Sequence, residues 1–236
     1  MSPQPIEPER PGVRREVLER LKMQGRATVS DLAEALGVTR EAVRRQLLLA
    51  RREGWVRRMP TARRSPGAGR PTSAWALTEA GEHLFPKAYD AAAVEVIDAV
   101  ADGLGPGALT AVLSRLADAR FERLRPAMEG KDLAGRLKAL KRIYGDDDPY
   151  ISVESRKGAV RLVERNCPLL GIALRRPALC SVTVSALSRL LGCRVTREER
   201  FQEGHGRCVF AVHPEEPVDP AASFAPEPGP RGVPVD

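Results

Sequence analysis

The first 166 residues of this 236-residue chain contain no cysteine, and all four cysteines, Cys167, Cys180, Cys193 and Cys208, fall in the last third. None stands two to four residues from another, the spacing by which one tight turn supplies two ligands to a structural zinc. A glycine-rich phosphate loop and a nucleophile elbow are also missing, so an enzyme is not expected. No stretch approaches the 18 apolar residues of a membrane span, and the segment around Pro3, Pro5, Pro8 and Pro11 lacks the apolar core of a secretion signal. The expected location is therefore cytoplasmic, with no membrane partner. Thiols stay reduced there, which argues against a disulfide framework and favours metal or redox use of the cysteines.

Charge is abundant and unevenly placed. Lysine and arginine number 38 against 31 aspartates and glutamates, a net of +7, and residues 1–90 hold 17 basic against 11 acidic side chains, a net of +6. From Arg40 to Arg70 there are ten arginines against Glu41 and Glu53, a local net of +8. A charge run alone is usually a solvated face, but this one coincides with helix-turn-helix punctuation. Val13 to Met23 reads as a first helix, with Val17, Leu18 and Leu21 on one face. Thr28 with Asp31 forms a capping-box pattern opening a second helix, in which Leu32, Ala33 and Leu36 point inward. Gly37 and Val38 make a tight turn. Thr39 then caps a third helix whose Val43 and Leu47 face inward while Arg40, Glu41, Arg44 and Arg45 face out, as a recognition helix requires. A strand beginning at Trp55 and Val56 and a return strand over Ser73 to Leu77 enclose a wing carrying Arg57, Arg58, Arg63, Arg64 and Arg70. Trp55 and Trp75 read as core of this small sheet. These residues predict a winged helix-turn-helix over 13–88 that binds double-stranded operator DNA, with affinity falling steeply as salt rises.

Residues 89–145 read as helical. Val94, Ile97, Ala101 and Leu104, then Leu109, Val112, Leu113, Leu116 and Leu124, keep heptad-like spacing. They suit a homodimer interface, since one winged helix reads too few base pairs alone; covering a monomer core would explain either stripe as well. Lys131 to Tyr144 is a third amphipathic helix, and Asp146, Asp147 and Asp148 read as a solvated turn. From Tyr150 the period turns towards alternation. One hairpin is expected around Arg156, Lys157 and Gly158, and another from Val195–Phe201 to Arg207–Val212. Between them lie a short helix at Pro168 and a longer one from Cys180 to Leu191. The whole is α+β: a disordered arm (1–12), the winged helix-turn-helix, central dimerisation helices, a small cysteine-containing domain with antiparallel hairpins (146–213), and a disordered Pro-rich tail (214–236).

All four cysteines sit at seams between elements. Cys167 precedes Pro168 and Cys180 lies near a helix start, so unpaired helix N–H groups are expected to favour thiolate there. The wide spacing suits an iron-sulfur cluster, whose separated irons each need one thiolate. A thiophilic metal, a thiol switch and inert buried cysteines also remain open.

The run from Val29 to Val56, with Gly69, Arg70 and Pro71 and then Leu77, Thr78, Glu79, Ala80 and Gly81, resembles winged-helix regulators of the broad ArsR/DeoR-like group. The run Asn166, Cys167, Pro168, then Pro177, Leu179, Cys180, then Gly192, Cys193, Arg197, Glu198, and Gly204, Arg207, Cys208 is similar to the iron-sulfur cluster assembly repressor family (SufR-like). That resemblance spans most of residues 13–212 and implies a homodimeric repressor of cluster-assembly genes with a 4Fe-4S cluster on Cys167, Cys180, Cys193 and Cys208. The interval between Cys180 and Cys193 is one residue shorter than the family's. Cys167, Cys180 and Cys208 therefore carry over most firmly, with His205 or Glu203 as alternative fourth ligands. Two rivals are a winged-helix regulator answering a small ligand and an iron-sulfur electron-transfer protein.

Overall fold

The computed structural model describes residues 12–60, 73–146, 148–156 and 159–229, in two compact units divided between Lys87 and Ala88. Helix and antiparallel sheet are mixed throughout, consistent with the α+β class. No helix among the described residues is long and apolar enough to cross a membrane.

The first unit runs α1 (Val13–Gln24), β1 (Ala27–Thr28), α2 (Val29–Leu36), α3 (Arg40–Arg52), β2 (Val56–Met59), β3 (Ala74–Leu77) and α4 (Glu79–Glu82). Short-range chemistry marks each helix start. Thr28 Oγ1 accepts the Asp31 N–H while Asp31 Oδ2 accepts the Thr28 N–H, which satisfies two orphan donors of α2. Gly37, at φ 64°, takes the left-handed conformation that ends α2. Thr39 Oγ1 accepts the Ala42 N–H and starts α3. The helices bury Val17, Leu21, Leu32, Val43 and Leu47 against Val56 and Trp75 of an antiparallel sheet ordered β1-β3-β2. Trp75 is core as expected, whereas Trp55 is half-buried beneath the Arg14 guanidinium, 4.3 Å from its ring centre. Gly81 lets α4 approach the chain at Trp55, because a Cβ there would lie 2.0 Å from the Trp55 carbonyl oxygen.

The second unit opens with α5 (Tyr89–Leu104) and α6 (Pro106–Leu124), followed by α7 (Leu133–Tyr144). β4 (Ser152–Arg156), β5 (Ala159–Glu164), α8 (Leu170–Ala173), α9 (Cys180–Leu191), β6 (Cys193–Glu199) and β7 (Cys208–Pro217) complete it. The four strands form an antiparallel sheet in the order β4-β5-β7-β6. Leu162, Val195, Phe210 and Val212 on one sheet face pack with Phe121, Leu137, Leu140, Leu187 and Leu190 from α6, α7 and α9. Residues 89–145 and 146–213 therefore share one core and are not separate domains.

Two further expectations change. Leu113, with Ala117, is buried against Val182 of α9 and does not face outward. Residues 214–229 are not a loose tail: β7 continues to Pro217, and Phe224 packs on the Leu113 cluster. Arg189 donates to the Pro220 carbonyl at 2.6 Å and Glu227 N–H to Ser181 Oγ at 2.8 Å, so hydrogen bonds and ion pairs offset the ordering entropy that proline-rich composition alone could not. Residues 1–11 and 230–236 lie outside the described residues.

Candidate metal centre and nucleic-acid interface

Three cysteines meet at one end of the second sheet. Cys208 opens β7, Cys167 follows the end of β5, and Cys180 is the first residue of α9. β5 and β7 are hydrogen-bonded neighbours, and their register pairs Glu164 with Cys208. The three thiols are near enough that Cys208 and Cys180 each raise the pKa of Cys167. A cleft of about 250 Å³ opens beside them, lined by Cys167, Cys180, Asp148, Glu164, Arg120 and Arg197 among others.

Every one of these sulfurs receives an N–H donor. The Leu169 N–H serves Cys167, and the Phe201 N–H and Arg197 Nη1, the latter at 3.1 Å, serve Cys208. Gln202 Nε2 donates to Cys180 Sγ at 3.1 Å. In that amide orientation Gln202 Oε1 is buried with no hydrogen-bond partner. The same Nε2 donates to the Ala173 carbonyl at 3.1 Å, which fixes the amide in that orientation.

Burial nevertheless dominates the acidity of these thiols. Desolvation pushes Cys167 up to about 12, helped by the Glu164 charge, and raises Cys180 and Cys208 despite Arg197. The expectation that helix N–H groups would leave Cys167 and Cys180 as thiolates is corrected accordingly. Without a cation these thiols are protonated at neutral pH.

Cys193 does not join them. Its neighbour Arg194 pairs with His213, five residues along β7 from Cys208, and Cys193 lies one residue further out, which separates the two cysteines by roughly 20 Å at the usual rise of an extended strand. Its surroundings are the Glu215 charge and Arg136, whose Nη1 donates to the Leu191 carbonyl at 3.2 Å. His205 Nδ1 accepts the Arg200 N–H at 3.1 Å, and Glu203 lies 3.7 Å from His205 and 3.9 Å from Arg200. Neither lines the cleft.

Asp148, read from the sequence as part of a solvated turn, is 1% exposed. It accepts the N–H groups of Tyr150 (2.9 Å), Arg165 (2.6 Å) and Asn166 (3.0 Å), and so fixes the loop that presents Cys167. Arg197 and Gln202 were likewise not singled out as site residues, because nothing local to their sequence positions marks a sulfur partner. Among the described residues, the group that brings three ligand atoms within 4.8 Å of one another is His213, Glu215 and Glu216 on the exposed part of β7. Glu216 there is ion-paired with Arg194 at 2.7 Å. Cys167, Cys180 and Cys208 are spread more widely than that limit.

In the first unit, Thr39 caps α3 and Arg40, Glu41, Arg44 and Arg45 are all exposed along it. Glu41 accepts from Arg44 at 2.9 Å, an exposed pair worth little in itself. Arg57 and Arg58 are exposed on β2, and Arg58 lies over Trp75, 5.1 Å from its ring centre. Arg63, Arg64 and Arg70 lie outside the described residues. Neither the protein-family models nor the curated proteins compared with this sequence give a match, so its function has to be argued from these sites.

Proposed function

We propose that the protein is a homodimeric DNA-binding transcriptional repressor that holds a 4Fe-4S cluster through Cys167, Cys180 and Cys208 and controls cluster-assembly genes. The observation that carries this reading is the convergence of three sulfurs, from three chain segments, each accepting an N–H hydrogen bond. A mononuclear tetrahedral zinc with bonds of about 2.3 Å needs sulfurs about 3.8 Å apart, closer than these stand, whereas a cluster presents separated irons. Raised thiol pKa values disfavour a thiol switch, which needs ready thiolate. When bound, the cluster supplies the positive iron charge that converts the three thiols to thiolates, with proton release. Arg197 offsets the resulting negative charge, and the Leu169, Phe201 and Gln202 N–H groups orient the sulfurs.

The first unit supports DNA binding by its winged-helix arrangement. A capped second helix, a glycine turn and a capped third helix with an arginine-rich outer face precede an antiparallel strand pair. Its helix α3 suits the major groove, and Arg57 and Arg58 suit the phosphate backbone. An open groove of about 420 Å³ between α5 and α6 supports dimer formation. Ala92, Val96, Ile97, Leu109, Val112 and Leu116 contribute to its wholly apolar lining, with Val96 64% and Leu116 46% exposed. Helix α9, which begins at Cys180, packs along α6, so ordering at the cysteines bears on the groove.

The resemblance supplies the sign of control: the loaded form binds and represses, and the empty form releases DNA. Anaerobic reconstitution followed by iron and sulfide analysis and a gel shift at fixed salt tests the proposal. Brown protein that binds one operator more tightly than the empty form, by about 1–3 kcal/mol, is the expected result. Colourless protein, or equal binding by both forms, would favour a second reading. The groove also falls within the size range of small-ligand pockets, and there an apolar effector would be the signal.

A further inference from the structure

We propose that Glu164 supplies the fourth protein ligand to the group held by Cys167, Cys180 and Cys208, an inference that rests on the cluster reading above. Strand geometry places it there. Side chains alternate along β5, and Leu162 lies in the core between sheet and helices, so Glu164, two residues on, faces the same covered side. In an antiparallel ladder, paired residues share a face, and Glu164 pairs with Cys208. Glu164 lines the cleft with Cys167 and Cys180, and its charge acts on both the Cys167 and Cys208 thiols.

The other candidates have positions or tasks that remove them. Cys193 is at the far end of the β6–β7 hairpin, and His205 and Glu203 do not line the cleft. Asp148, the other carboxylate of the cleft, is committed to three backbone N–H groups and so positions the Cys167 loop. Carboxylate oxygen is a harder donor than thiolate and suits soft-metal clusters less well. One iron of four would then be held less firmly, at a corner reached from the cleft.

The test uses the full chain, reconstituted anaerobically, as wild type, Glu164→Gln and Glu164→Cys, with folding checked by circular dichroism. Iron and sulfide content, electron paramagnetic resonance and reduction potential are the readouts. The wild type should hold four irons per chain. Glu164→Gln should lose one and, once ferricyanide has removed one electron, show the paramagnetic signal of an oxidised three-iron cluster, and Glu164→Cys should keep four with a lowered reduction potential. A Glu164→Gln protein with four irons and the wild-type spectrum would overturn the proposal, leaving Glu164 as a partner of the cleft arginines. Should Glu164→Gln not fold, the cysteine variant decides, because a four-iron centre of unchanged potential there would overturn it equally. A wild type that takes up neither iron nor sulfide would instead overturn the cluster reading, and this ligand with it.

Discussion

Arg197 donates from Nη1 to the Cys208 sulfur at 3.1 Å while the same guanidinium, 3.2 Å from the Glu227 carboxylate, ties the C-terminal segment to the cysteine site. It also donates from Nη2 to the Cys180 carbonyl at 3.0 Å and stacks over Phe210. Side-chain exposures of 3% for Arg197 and 11% for Glu227 make this a buried pair. Removing one partner of a buried pair costs about 3–5 kcal/mol where the other charge is left uncompensated, and because Arg200 still stands 3.7 Å from Glu227 the loss here should fall at the low end of that range. Arg197→Leu should therefore lower the urea midpoint strongly, and adding Glu227→Leu should restore much of the loss. A double variant no more stable than Arg197→Leu would show that the guanidinium acts through its other contacts.

The cysteines should divide three to one. Cys167→Ser, Cys180→Ser and Cys208→Ser should each abolish or severely reduce cluster absorbance after reconstitution, whereas Cys193→Ser should retain the wild-type iron content. Loss of iron in Cys193→Ser, with folding intact by circular dichroism, would contradict the separation described for β6 and β7.

The empty protein should lose stability in alkali. Cys167 is pushed up to about 12, and Cys180 and Cys208 are raised as well, all above their unfolded values. A raised pKa means that the folded state holds its protons longer. Its contribution is present in full below the unfolded thiol range and is lost as pH rises from about 9 towards 12. The urea midpoint of the empty form should fall across that window, less so in Cys167→Ser. Cluster loading should release protons, measurable in weakly buffered solution.

Charges on α6 should act differently one turn apart. Leu113 is 4% exposed in the core with Ala117 and Val182, so Leu113→Glu should destabilise the fold by several kcal/mol. Leu116 lines the exposed groove, and Leu116→Glu should leave the monomer folded while shifting analytical ultracentrifugation from dimer to monomer and weakening operator binding. A fully dimeric Leu116→Glu protein would place the interface elsewhere.

Arginines on helix and strand should differ in kind. Arg44→Ala on α3 should relax sequence preference, and Arg57→Ala on β2 should weaken binding to all DNA alike and lower the salt slope by about one unit. Equal loss of specificity in both variants would remove this division of roles.

Much of the first unit was legible in the chain because its signals are local. Thr28 and Asp31, Gly37, and Thr39 act on backbone groups within four residues, so capping chemistry alone marks where α2 and α3 begin and α2 ends. Heptad spacing likewise identified α6 as amphipathic, but spacing cannot say which stripe a neighbour covers, and α9 took Leu113 while leaving Leu116 exposed. The cysteine count was plain in the sequence; its division was not. Whether Cys193 or Glu164 stands beside Cys208 depends on the register of β7 against β6 and β5, which is set by pairing between residues far apart in the chain. The burial of Asp148 and the anchoring of Glu227 have the same origin. Their partners, the Arg165 and Asn166 N–H groups and the Arg197 guanidinium, are brought to them only when the sheet and its helices close on one core.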